Sequence, residues 1–229
     1  MTSRGRRREL PKVLEQDERK RFLATFNKRY QGSFRNLVAV RLMLDCGLRV
    51  SECVSVRPEH INMASCKLVV RDGKGGVDRN VWMTDGLRDL VADWLESDLR
   101  PESEWLICTR DGGQVDPRQL RDMVKRQAQK ADVAEWERVS PHTLRHTFAT
   151  DMYRQTKDLV AVQHALGHAS IQTTQIYAHL ANGEVEEAMR NLRDSDEAQA
   201  QDDAEEIVEG LIDVLPPEVI AALRRRLEQ

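Results

Sequence analysis

The sequence has no long hydrophobic run. None of its apolar stretches approaches the roughly 18 residues that a membrane-spanning helix needs, and the opening stretch MTSRGRRRELPK has basic residues with no apolar segment after them. We therefore expect a cytoplasmic protein that does not interact with a membrane. Its 229 residues, 40% of them hydrophobic, suffice for one sizeable core, or for one domain with a small appendage.

Paired cysteines and a strong net charge are also absent. The four cysteines form no CxxC pair, so we expect reduced thiols rather than a disulfide framework. The net charge of −3 argues weakly against a nucleic-acid partner, but the charges are polarised: residues 1–30 hold ten Lys/Arg against four Asp/Glu, and residues 183–229 hold five against fourteen. This asymmetry suggests a polyanionic partner near the beginning of the chain, although a charge run is more often a solvated face.

Hydrophobic periodicity predicts an α+β fold that is mainly α, with a small antiparallel β-sheet. Apolar residues recur at helical spacing within residues 17–44, 87–95 and 117–131, and residues 140–192 are again predicted to be helical. The stretch KLVVRDGKGGVDRNVWM has β-branched residues on both sides of a Gly-rich turn, which predicts a β-hairpin with Lys74 in its turn.

The composition changes after Arg193. Residues 194–209 hold eight acidic residues and no basic one, and apolar residues at helical spacing then flank a Pro-Pro break. We divide the chain into a basic arm (1–10), a main domain (11–193) and an acidic linker with a helical tail (194–229). The tail is expected to dock on its own or a neighbouring protomer or to cover the basic surface, or else to be a disordered solubilising segment.

Two motifs place basic residues near helix starts. In SPHTLRH, Ser140 and Pro141 predict a helix start, and His142 and Arg145 share a face near the N-terminus, where a phosphate would be stabilised. The structural alternative is that His142 caps the helix and Arg145 pairs with a surface carboxylate.

The motif GLRVSE repeats this arrangement with Arg49, whose planar guanidinium suits phosphate oxygens. GKGG adds Lys74 but lacks the spacing of a Walker loop. Each residue taken alone also has a structural interpretation, since Arg49 could stabilise the fold and a hairpin lysine usually faces solvent.

The histidines raise a metal alternative. His142 with His146, and His164 with His168, have the i,i+4 spacing with which a helix offers two ligands to zinc. Arg145 would lie beside the first pair, a glycine is expected to end the helix within the second, and neither pair contains a glutamate base. We therefore expect no metal.

Together these motifs resemble the catalytic domain of the tyrosine recombinases, the phage integrase and Xer-like family. GLRVSE, GKGG, HTLRHTFAT and LGHASIQTTQIYAH occur in the family's order and approximate spacing, and the last two in succession are highly specific. The resemblance extends over about residues 10–192. It implies six active-site positions, all of them matched here: Arg49, Lys74, His142, Arg145, His168 and Tyr177.

The resemblance also implies the chemistry of a DNA recombinase or integrase. Tyr177 would attack a DNA phosphodiester and leave a 3′-phosphotyrosine and a free 5′-hydroxyl, while Arg49 and Arg145 stabilise the developing charge with a hydrogen bond from His168. Lys74 would protonate the departing oxygen.

His142 would assist proton transfer at the tyrosine. No ATP would be needed, because the phosphotyrosine conserves the bond energy, and no metal or other cofactor, because two arginines and a lysine would lie at the phosphate. The remaining histidines of these motifs, His146, His164 and His179, are expected to be structural.

The implied partners are double-stranded DNA and other copies of the chain, with a tetramer on synapsed DNA. Most family members have a helical core-binding domain before the catalytic domain, whereas here only residues 1–10 precede it. The chain could be a compact recombinase that uses its basic arm, could need an accessory DNA-binding protein, or could be a fragment. Two rival functions are a type IB topoisomerase-like activity and a non-catalytic DNA-binding protein, the second of which the intact set of six residues disfavours.

Overall fold

The computed structural model describes residues 11–71, 78–167, 174 and 177. Inter-residue contacts divide the chain into two units, residues 1–181 and 182–229, and every described residue belongs to the first. The predicted basic arm, the Lys74 turn and the tail beyond residue 193 lie outside the described residues.

Helices dominate the described residues. They are α1 (Gln16–Ala24), α2 (Gln31–Asp45), α3 (Val50–Val54), α4 (Asp85–Leu95), α5 (Pro117–Lys130), α6 (Pro141–Thr156) and α7 (Leu159–Leu166), with short 3₁₀ turns at Pro58–His60 and Trp136–Arg138. The strands are β1 (Ile61–Asn62), β2 (Lys67–Val70) and β3 (Arg79–Trp82). The prediction of a mainly helical fold with a small sheet is confirmed.

Helix α2 forms the centre of the core. It buries apolar residues around most of its circumference, including Val38, Leu42 and Met43, and packs against α4 and α6. A helix that is apolar on nearly all sides is stable only when other elements surround it. Trp94 of α4 closes the core, with its ring fully buried and its indole N–H donating to the Leu106 carbonyl at 2.8 Å.

Local side chains determine where the later helices begin. Asp158 accepts from the backbone N–H groups of Val160 and Ala161 at 2.8 and 3.1 Å, which satisfies two donors that the first turn of α7 leaves open. At α6, Pro141 is the first helical residue, as predicted, and the Ser140 N–H donates to Thr143 Oγ1 at 3.1 Å.

The three strands form one antiparallel sheet in the order β1-β2-β3. Lys67 lies opposite Trp82, and Val70 opposite Arg79, so β2 and β3 are the two arms of the predicted hairpin. Strand β1 was not predicted, because two residues are too few to show a period-2 pattern. Among the described residues, no helix is long and apolar enough to cross a bilayer.

Candidate active site

Helix α6 carries Arg145 into the interior, where only 4% of the residue is exposed. Its Nη1 donates to the Gly47 carbonyl at 2.5 Å and its Nη2 to the Leu166 carbonyl at 2.7 Å. Gly47 follows the end of α2 and Leu166 is the last residue of α7, so the guanidinium lies at the negative ends of two helix dipoles. These contacts explain how a charged group is stable in a buried position.

Arg145 remains a cation at neutral pH. Burial lowers its pKa to about 10, the nearby Arg49 charge acts in the same direction, and the Glu52 carboxylate opposes both. A guanidinium has five N–H donors, and the hydrogen bonds to the two carbonyls use only two of them. Arg145 is therefore a fixed positive charge with donors to spare for an anion.

Glu52 lies among three arginines. Its carboxylate accepts from Arg49 Nη1 at 2.7 Å and from both terminal nitrogens of Arg79 at 2.9 and 2.8 Å, and Arg145 Nη1 is 3.7 Å away. We call these four residues the arginine cluster. Burial alone would raise the pKa of Glu52, but the hydrogen bonds and charge of Arg79, the Arg49 N–H and the Arg145 charge lower it to about 2. The carboxylate is therefore ionised, and the cluster carries an excess of positive charge.

Tyr177 lies in a small second core cluster, where it is 1% exposed. Its buried neighbours there are Ala149, Val162 and Leu166. Burial raises the pKa of the phenol, whereas the charges of Arg145 and Arg49 lower it. The predicted nucleophile is thus within the field of both predicted phosphate-binding arginines.

The Tyr177 hydroxyl is 3.0 Å from Nδ1 of His146, and the two rings are 5.6 Å apart at an interplanar angle of 50°. Burial lowers the pKa of His146 to about 4, with His142 and Arg145 acting in the same direction. Its imidazole is therefore neutral at neutral pH, so that Nδ1 can accept the phenolic proton in a hydrogen bond. His146, expected to be structural, contacts the group predicted to react.

His142 is the second residue of α6 and is exposed, although its neighbours Pro141 and Thr143 are buried. Partial desolvation lowers its pKa, and the charges of Arg145, Arg121 and Arg49 add to this effect. His142 precedes Arg145 by three residues on α6, so the two side chains project from the same face of the helix.

The structure therefore groups four of the six predicted positions, while Lys74 and His168 lie outside the described residues. Glu52, Arg79 and His146 were not predicted to contribute. Glu52 had a local signal, because it follows Arg49 by three residues in a predicted helix, where opposite charges meet. Arg79 had none.

Within the described residues, no group of three His, Cys, Asp or Glu side chains is placed to hold a metal ion. The expectation that no metal is needed stays a prediction, since His168 is not among those residues. The four cysteines are unpaired, as expected.

The sequence profile of the phage integrase family matches residues 12–184. Tyrosine recombinase XerA of Thermococcus kodakarensis is 37% identical over 173 residues, which cover 74% of this chain and 58% of that protein. Tyrosine recombinase XerC of Vibrio cholerae is 36% identical over 178 residues, which cover 76% of this chain and 56% of that protein. The chain thus spans somewhat more than half the length of these relatives.

Solved structures agree with this assignment. The crystal structure of XerA recombinase has a TM-score of 0.70 and 29% identity, covering 81% of this chain and 66% of that chain. The XerH site-specific recombinase, bound to its palindromic difH substrate in a post-cleavage complex, has a TM-score of 0.68 and 28% identity over 79% of this chain and 53% of that chain. Because the family profile spans most of the main domain and the fold is shared, this chain belongs to the phage integrase family of tyrosine recombinases.

Proposed function

We propose that this chain is the catalytic domain of a site-specific DNA recombinase and acts on double-stranded DNA. The observation that carries the proposal is that Tyr177 is buried in one cluster with Leu166, whose carbonyl accepts a hydrogen bond from Arg145 Nη2 at 2.7 Å. The relatives are named tyrosine recombinases, and the XerH structure is bound to its difH substrate, which supports DNA as the substrate.

In the proposed reaction, the Tyr177 oxygen bonds to the phosphorus of a DNA phosphodiester as the bond to the 5′-oxygen breaks. The product is a 3′-phosphotyrosine, and reversal of the step by another strand's 5′-hydroxyl rejoins the DNA. Negative charge that develops on the non-bridging oxygens is stabilised by Arg49 and Arg145, with a hydrogen bond from His168. A phenol with a pKa near 10 is a weak nucleophile, so this neutralisation is required.

Two protons move in this step. The phenolic proton leaves Tyr177 with the help of His142, and Lys74 donates a proton to the departing 5′-oxygen. Because the phosphotyrosine keeps the energy of the broken bond, the reaction needs no ATP, and because Arg49, Arg145 and Lys74 supply positive charge at the phosphate, it needs no metal or other cofactor. The proposed setting is the cytoplasm, with a tetramer on synapsed DNA and an accessory DNA-binding protein where the core-binding function is not supplied by this chain.

Trapping the covalent intermediate tests this function. We expect the full chain to form an SDS-resistant adduct with a nicked duplex that carries the DNA flanking its own gene. Tyr177→Phe should abolish the adduct but change DNA affinity by less than about threefold, because phosphate contacts dominate such interfaces. Tyr30→Phe, at a side chain that is 67% exposed, is the control and should react like the wild type.

An adduct that survives Tyr177→Phe would place the nucleophile elsewhere. A topoisomerase-like chain would form the adduct but relax supercoiled DNA without exchanging strands between two sites. A non-catalytic DNA-binding protein would form no adduct at all.

A further inference from the structure

We propose that Arg79 is a positioning residue of this site, which keeps the Glu52 carboxylate paired so that Arg49 and Arg145 can act together on one phosphate. The inference rests on the proposed function. It concerns a residue outside the six motif positions.

All three nitrogens of the Arg79 guanidinium donate hydrogen bonds. Nη1 and Nη2 donate to the two oxygens of Glu52 at 2.9 and 2.8 Å, and Nε donates to the Ala165 carbonyl at 3.1 Å. Both partners are held at once because the guanidinium is planar, a geometry that a lysine ammonium cannot reproduce. The side chain is 11% exposed, so these bonds are shielded from water and salt.

The lack of a side chain at the end of α7 leaves room for Arg79. Gly167 follows this helix with φ +63°, and a Cβ at that position would lie 2.9 Å from Cδ of Arg79. The glycine therefore serves both the left-handed backbone and the approach of the arginine. Two arginines then bind consecutive carbonyls at this helix end, Arg79 at Ala165 and Arg145 at Leu166.

The negative charge of Glu52 explains why its pairing with Arg79 affects phosphate binding. Glu52 orients Arg49 through a 2.7 Å ion pair, but an ionised carboxylate so close to Arg145 also repels an incoming phosphate. With Arg79 present, three guanidiniums surround one carboxylate. Without it, Glu52 would neutralise one of the two remaining arginines.

The neighbours of Arg79 suggest two other ways in which its loss could slow cleavage without changing the charge balance of the site. Arg79 is the first residue of β3 and follows Lys74 by five residues in the chain, so its loss could displace the proposed general acid. Its bond to Ala165 could instead merely hold α7 in place. The experiment must separate these routes from charge balance.

We would measure adduct formation by the full chain on the nicked duplex, with DNA affinity measured in parallel. Arg79→Ala should slow cleavage by about 100-fold, the scale of losing one transition-state donor, with affinity within about threefold of wild type. Adding Glu52→Gln to Arg79→Ala removes the uncompensated carboxylate and should recover cleavage by about tenfold or more. Arg79→Lys, which keeps the charge but loses the fork, should lie between Arg79→Ala and wild type.

A second substrate carries sulfur in place of the bridging 5′-oxygen. This better leaving group should rescue Lys74→Ala but not Arg79→Ala. Rescue of Arg79→Ala by sulfur would overturn the proposal in favour of the Lys74 route, and a double variant no faster than Arg79→Ala would overturn it in favour of a structural role. Should Arg79→Ala unfold, Arg79→Gln replaces it in the same comparison.

The same experiment gives a different result if the proposed function itself is wrong. In that case the wild-type chain forms no adduct that depends on Tyr177, and the inference about Arg79 falls with it. A Tyr177-dependent adduct that Arg79→Ala forms at the wild-type rate refutes the role of Arg79 alone.

Discussion

At the scale of single residues, the proposed nucleophile is buried rather than exposed to solvent. Tyr177 is 1% exposed, and its hydroxyl is hydrogen-bonded to Nδ1 of His146. Full proton transfer between them is unfavourable, because burial raises the pKa of the phenol above its ordinary value and lowers the pKa of the imidazole to about 4. His146 therefore acts on Tyr177 through a hydrogen bond, and the proton is finally accepted by another group.

Loss of this hydrogen bond should make the Tyr177 hydroxyl more accessible. In the DNA-free chain, His146→Ala should speed modification of Tyr177 by a tyrosine-selective reagent about fivefold, the equivalent of one hydrogen bond of about 1 kcal/mol. His146→Asn places an acceptor oxygen near the position of Nδ1 and should react close to the wild-type rate. Mass spectrometry measures both, with the exposed Tyr30 as internal standard. Equal rates in all three proteins would show that His146 does not hold Tyr177.

At the scale of elements, the site is a meeting point of helix ends. The ends of α2 and α7 direct carbonyls toward Arg145 of α6. The chain can turn there because Gly47, two residues after α2, and Gly167, directly after α7, adopt a left-handed conformation. At Gly47, φ is +65° and a Cβ would lie 2.4 Å from the Phe148 ring. Only glycine fits this position without backbone strain and without displacing the Phe148 ring.

Gly47→Ala should therefore destabilise the protein by about 2 kcal/mol or more, from backbone strain and the clash together. Gly32→Ala is the matched control, since nothing lies within 4 Å of the new methyl group and α2 gains up to about 1 kcal/mol in helix propensity. Urea denaturation measures both. Gly47→Ala should also slow adduct formation, because the Gly47 carbonyl orients Arg145. Equal stability of the two variants would contradict this account.

At the scale of the whole molecule, the arginine cluster makes stability depend on pH. The folded-state pKa of Glu52 is lowered to about 2 from an ordinary 4.5. A carboxylate of this kind stabilises the fold above its unfolded-state pKa, and the contribution is lost as the pH falls through the folded-state pKa. The loss therefore extends from about pH 5 to pH 2 and amounts to at most about 3 kcal/mol.

Glu52→Gln tests this dependence. The variant should be less stable than wild type at pH 7, and the difference in free energy of unfolding should shrink as the pH falls from about 5 toward 2, because only the wild type loses an ionised carboxylate there. Asp17→Asn, at a side chain that is 81% exposed, is the control and should change little. A constant difference between wild type and Glu52→Gln across this range would rule out the ion pairs as its source.

The sequence by itself determined the features that depend on near neighbours in the chain. Helical periodicity predicted α2, α4 and α5, the Ser140-Pro141 pair predicted the start of α6, and the β-branched arms around GKGG predicted the hairpin. The family motifs predicted six active-site positions, because the order and spacing of residue types can be read without coordinates. These signals act over a few residues, where backbone geometry alone relates one side chain to the next.

Only the tertiary structure decided which side chains bind one another at the site. Arg79 and Glu52 are 27 residues apart, His146 and Tyr177 are 31 apart, and Arg145 lies 98 residues from the Gly47 carbonyl. Burial decides such pairings: once packing removes water, each charge and hydroxyl must find a partner nearby in space, whatever its distance along the chain. Composition and periodicity do not encode these distances, so the partners became evident only when α2, α6, α7 and β3 were packed together.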